Sequence, residues 1–142
     1  MNDIEKPSIL VCTEQANELI LKEVLAGMEE EGIPYSVVNV KNMSLIKETY
    51  NSAQLSRMGI AVGILRNRVI IHYNKLREIN PLFDVELKFY ERERARSLGN
   101  NAARLYKAMP LKDVSSKGDE EYMEFIKDKV IAILRERLSR EG

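Results

Sequence analysis

The side chains of this chain that could do chemistry are few: one thiol, Cys12, one imidazole, His72, three consecutive carboxylates, Glu29, Glu30 and Glu31, and a loose basic cluster, Arg66, Arg68, Lys75 and Arg77. One cysteine forms no internal disulfide, and Cys12 with His72 falls short of the ligand set of a structural zinc site. A Cys–His catalytic pair stays formally open, but Cys12 ends the apolar run ILVC, the setting of a buried, inert thiol. His72 lies in IIHY, where a satisfied core or rim histidine is a simpler reading than a general base. The basic cluster brackets a strand and takes in Tyr73, a faint nucleic-acid signature. Acidic neighbours and a balanced charge reduce it to solvated loop residues. There is no phosphate loop, no G-x-G-x-x-G after a strand and no H-E-x-x-H.

The three acids are the odd feature. Ile20, Val24, Gly27 and Met28 share one helical face, and the helix that carries them ends at Gly32 and Pro34. A helix C-terminus carries roughly half a negative charge, so Glu29, Glu30 and Glu31 stand where cations are favoured. Either they form a solvated run of good helix formers, or one carboxylate waits there for a cation or a partner's basic group.

The elements that must position these groups follow in chain order. Residues 8–13 read as a buried first strand, 14–31 as a helix, and 35–40, YSVVNV, as a second strand buried on most of its surface. Residues 41–58 are helix-permissive and stop at Gly59. GIAVGIL, residues 59–65, is a third strand whose two glycines suggest close backbone approach or a tight edge. RNR then leads to VIIHY, residues 69–73, and so short a connection cannot cross over a sheet, so these two strands must be antiparallel. LFDVEL reads as an edge strand and residues 91–98 as a charged helical turn or two ended by Gly99. Asn100 or Asn101 then reads as the N-cap of a new helix, AARLYKAM, closed by Pro110. Ala102 and Ala103 would let that helix sit close against its neighbour.

The expected fold is α/β: three α/β/α layers around a mostly parallel sheet with one antiparallel strand, residues 1–113. Residues 114–142 form a linker, VSSKGD, and a C-terminal helix with acids in its first turn and Ile126, Val130, Ile133 and Leu134 in an amphipathic stripe. That helix packs on the body or on another chain, which leaves a homo-oligomer open. With 142 residues, 44% of them hydrophobic and 22 basic against 22 acidic, the chain reads as one globular domain with no global field for nucleic acid or membrane. No apolar run approaches the roughly 20 residues of a spanning helix, and MNDIEKP lacks the order of a signal peptide, so a cytoplasmic address is expected.

Three blocks, EVLAGMEEEGIPY, VIIHYNKLREINPLF and GNNAARLYKAMPLKD, together resemble the small (beta) subunit of the diol or glycerol dehydratase reactivating factor over residues 7–113. The resemblance implies the fold of the B12-dependent dehydratase beta subunit and a non-catalytic, chaperone-like role. In it, this chain would pair with an ATPase large subunit and exchange with the dehydratase beta subunit to contact its alpha subunit, so that damaged cobalamin leaves. Adenosylcobalamin would belong to the client enzyme and not to this chain. It also implies that Glu30 reaches, in trans, a magnesium ion held by the large subunit, with Glu29, Glu31, His72, Asn100, Asn101 and Arg104 at the partner interface. Against the family pattern, Arg77 stands where proline is common, and the chain runs on past Asp113. The competing readings are a small ligand-binding or signalling α/β module and a hydrolase built on His72. Cys12 and Thr13 occupy the place where a receiver's acidic pocket would begin, and no nucleophile lies near a suitable turn for the hydrolase.

Overall fold

In the computed structural model, residues 6–116 and 118–141 are described; the opening MNDIE and the side chains of the first acidic turn of the last helix lie outside the described residues. Five strands form one sheet in the order β2-β1-β3-β4-β5: β1 Ile9–Glu14, β2 Tyr35–Asn39, β3 Ile60–Leu65, β4 Arg68–Tyr73 and β5 Phe83–Glu86. β1 pairs in parallel with β2 and β3, while β4 is antiparallel to both β3 and β5, so β4 alone runs against the rest. The alternation of side chains along the strands sorts the core into two halves. Ile9, Val11, Ile60, Val62, Val69 and Ile71 face α1, Glu18–Glu30, and α3, Arg92–Lys107, and Cys12 and Ile70 face α2, Leu45–Leu55. The three-layer α/β/α expectation is met.

Element boundaries moved where side chains act in ways that periodicity does not reveal. Glu14 ends β1 instead of starting α1, because its carboxylate accepts the backbone N–H groups of Asn42 and Met43 at 2.9 and 2.7 Å. Asn17 is the actual N-cap of α1, accepting from Leu19 and Ile20. α2 is shorter than expected, and its contact with the sheet explains Gly63: a Cβ there would strike Thr49 Oγ1. The second strand was expected to be mostly buried, but it is the free edge of the sheet, with Val37 44% and Val38 52% exposed.

The largest correction concerns α3, Arg92–Lys107, which is one helix and not two. Gly99 does not end a helix, and Asn100 and Asn101 do not cap one; all three lie buried inside α3. The reason is the crossing with α1. A Cβ on Gly99 would meet Val24 O, and one on Gly27 would meet Arg96 O and, at 2.7 Å, Asn100 N. The two backbones therefore touch, and a mid-helix glycine's cost of about 1 kcal/mol is offset by packing that no larger residue permits. Ala102 and Ala103 are fully buried in the same core, as their size suggested.

The C-terminal helix, α4, Asp119–Glu141, touches the body mainly through aromatic side chains around Phe125. Among the described residues no helix is long and apolar enough to cross a membrane.

Gly99→Ala is expected to destabilise the chain by about 2 kcal/mol or more, since the obstacle is backbone. Gly32→Ala, at φ +74° with open space around the position, should cost only about 1 kcal/mol. Denaturant melts of the two variants check this. Equal small losses would mean that the helices separate easily and that the crossing is not tight.

Candidate functional site

Contacts between α1 and α3 advance together along both helices: Glu23 meets Arg96, Gly27 meets Gly99 and Asn100, and Glu31 meets Arg104 and Lys107. The two helices thus run in the same general direction, with their negative dipole ends side by side. α1 has no basic residue in its last turn, but α3 has Arg104 and Lys107 in its own. Cations missing from one helix are supplied by the other.

The end of α1 is a Schellman turn, with Ile33 N–H donating to Met28 O and Gly32 N–H to Glu29 O. Gly32, at φ +74°, is the left-handed residue that this turn needs. Lys107 Nζ reaches across to donate to the Glu31 carbonyl and to Glu31 Oε1, both at 2.8 Å, so a cation from α3 closes the C-terminus of α1. Arg104 Nε holds the other carboxylate oxygen of Glu31 at 2.9 Å, and its Nη1 donates to Pro110 O. These two partners, Lys107 foremost, hold the Glu31 carboxyl below the usual carboxylate range.

Glu30 is held differently. Asn100 Nδ2 donates to Glu30 Oε1 at 3.0 Å and also to the Gly27 carbonyl at 2.8 Å, while Arg96 Nη1 donates to Glu30 Oε2 at 2.7 Å. Arg96 is shared with Glu23, and Lys112 Nζ donates to Asn100 Oδ1 at 2.8 Å. The Asn100 hydrogen bond, then Arg96, hold the Glu30 carboxyl low. Its side chain nevertheless stays 50% exposed, against 11% for Glu31. Glu29 points elsewhere and accepts the Tyr35 hydroxyl at 2.7 Å. The three acids therefore have three separate partner sets. A polar groove of about 540 Å³ opens beside Glu30, lined by Glu23, Arg96, Ser97, Asn100 and Lys112 among others.

Other residues expected at an interface are engaged inside the chain. Asn101 clamps the segment after α3, donating to Lys112 O at 2.9 Å and accepting from Lys112 N at 2.7 Å. Arg104, expected to face outward, is 22% exposed and paired with Glu31. His72 is fully buried: its Nδ1 accepts from Tyr73 N, its Nε2 lies 3.0 Å from Glu78 O, and its ring meets Tyr50 edge-on at 5.3 Å. That pattern fits the Nε2–H tautomer of a structural histidine. Cys12 is buried beside Thr49, and burial pushes its thiol above the ordinary range. Arg68 forms a two-pronged pair with Asp84 at 2.8 and 2.7 Å, and Arg66 donates to Gln15, as loop and edge residues do. Among the described residues no three His, Cys, Asp or Glu side chains converge as a metal cage.

Of the basic half of this corner, the sequence points to Arg104 alone, as an interface residue; Arg96, Lys107 and Lys112 carry no signal of their own there. One signal was present: GNNAARL pairs a mid-helix glycine with polar and then small residues, a face made for close contact, and it was read as a cap.

The dehydratase medium subunit family model matches residues 6–112. The propanediol dehydratase-reactivating factor small subunit of Citrobacter freundii is 30% identical over 115 residues, covering 81% of this chain and 98% of that protein. The diol dehydratase-reactivating factor small subunit of Klebsiella michiganensis is also 30% identical, covering 81% of this chain and 91% of its own. A solved structure of diol dehydratase-reactivating factor complexed with ADP and Mg2+ aligns with a TM-score of 0.71 at 29% identity, over 77% of this chain and the whole of that one. A glycerol dehydratase reactivase aligns with the same TM-score at 19% identity over 78% of this chain and all of its own, which shows the shared fold. The chain therefore belongs to the dehydratase medium-subunit family, among the small subunits of dehydratase-reactivating factors.

Proposed function

We propose that this chain is the non-catalytic small subunit of a cytoplasmic, chaperone-like factor that reactivates an adenosylcobalamin-dependent diol or glycerol dehydratase. It pairs with an ATPase large subunit and exchanges with the dehydratase beta subunit, so that the enzyme opens and damaged cobalamin leaves. The observation that carries this reading is the alignment of the body with an entire chain of a reactivating factor solved with ADP and Mg2+. The chemistry of Glu30 supports it. Each of its oxygens takes one hydrogen bond within the chain, which leaves lone pairs for a hard cation held mostly by the partner. Asn100 and Arg96 orient that carboxylate, as second-layer partners orient metal ligands. Glu29, exposed beside it, stands at the rim of the proposed interface; Glu31, Asn100, Asn101 and Arg104 support that surface from within, whereas His72 lies on the opposite, α2 face of the sheet against Tyr50.

Glu30→Gln should leave the thermal stability of the isolated chain within about 0.5 kcal/mol, because its ion pair is half-exposed and it sits at the negative end of a helix. Binding to the large subunit should weaken and lose its magnesium dependence. Calorimetric titrations with magnesium and with chelator check this. If Glu29→Gln, Glu30→Gln and Glu31→Gln all bind alike, the magnesium role of Glu30 fails.

Arg104→Ala provides the contrast. Losing the pair with Glu31 and the bond to Pro110 should cost about 1 kcal/mol of stability. At temperatures where the variant is folded, its affinity for the large subunit should be unchanged. A variant that melts normally but binds weakly would place Arg104 at the interface instead.

A further inference from the structure

The C-terminal helix touches the body with one side only. Phe125 packs on Phe89 and Tyr90, Tyr122 packs on Tyr90 at 4.7 Å between ring centroids, and Asp128 pairs with Arg92 at 3.1 Å. At about 100° per residue, the centre of this contact lies roughly 140° around the helix from an apolar stripe of Met123, Ile126, Val130, Ile133, Leu134 and Leu138. Those six side chains are 39 to 66% exposed. Met123, Ile126, Val130 and Ile133 follow one another in steps of three and four, the spacing of a seam between two helices. A stripe of that length turned to water marks an interaction surface.

We infer that this stripe joins two copies of the chain, with the two C-terminal helices antiparallel and crossing at Val130. The charge pattern along the helix selects the occupant and its direction. Residues 119–128 contain five acids and one lysine, whereas residues 129–141 contain four basic residues and two acids. A parallel copy would set acid against acid and arginine against arginine, and like-charge alignment is disfavoured. An antiparallel copy lays the acidic half of one helix along the basic half of the other, with Ile126 level with Leu134. The helix is thus complementary to itself in one orientation. This inference is independent of the reactivating role and needs no large subunit to test.

Sedimentation velocity on the purified full chain, run from micromolar to millimolar protein, should show a concentration-dependent dimer. Val130→Glu and Ile133→Glu should each weaken dimerisation by about tenfold or more, since each buries an unpaired charge in the seam. Their melting temperatures should stay unchanged at monomeric concentrations, because both positions face solvent there. Direction is read by oxidative cross-linking, with Cys12 buried and silent. Ile126→Cys mixed with Leu134→Cys should cross-link, and Ile126→Cys alone should not. A chain that stays monomeric throughout, a dimer that survives Val130→Glu, or self-cross-linking of Ile126→Cys would each overturn the antiparallel pair.

Discussion

The backbone contact between α1 and α3 at Gly27 and Gly99 is the constraint on which the rest of this structure depends. It brings two helices of like direction close enough for side chains of one to serve the end of the other. Two negative helix ends side by side, one carrying three acids, would repel if left alone. Here Glu23, Glu29, Glu30 and Glu31 stand against Arg96, Arg104, Lys107 and Lys112, and the corner is balanced. If the crossing were wider by the thickness of a methyl group, the short Asn100 side chain would lose its bond to Gly27 O.

That geometry divides the acids by burial. Glu31, nearly covered and held by two cations, is occupied with closing the helix. Glu30 is ordered by Asn100 and Arg96 yet half-exposed, so its position is fixed while its remaining lone pairs face outward. An oriented, solvent-facing carboxylate can meet an ion without first losing side-chain freedom. Neighbours in sequence thus do different work because the helix turns each by about 100° relative to the last.

The order of the strands was legible because β1, β3 and β4 are short, largely apolar runs, LFDVEL alternates as an edge strand does, and the RNR connection forces one antiparallel pairing. The side of the sheet on which β2 lies was not, since YSVVNV looks the same in the centre of a sheet and at an edge. Gly99 misled for a related reason: glycine near a helix end and glycine at a helix crossing leave the same letter, and only the partner helix distinguishes them. Three acids at a helix C-terminus stand out in the sequence itself. Their pairing was not visible there, because Arg96 and Arg104 lie more than sixty residues further along the chain. His72 followed its simpler reading, a buried histidine with both ring nitrogens engaged.

The C-terminal helix adds a second surface without disturbing the first. Among the described residues the buried core of the body contains no residue of α4, and the family match ends at residue 112. α4 is attached near the start of α3, through Phe89, Tyr90 and Arg92, whereas Glu30 is oriented from Arg96 and Asn100. From Arg92 to Asn100 the helix rises about 12 Å, and Lys107 lies further still. A partner seated on the acidic corner and a second copy seated on the stripe would therefore use different stretches of the same helix.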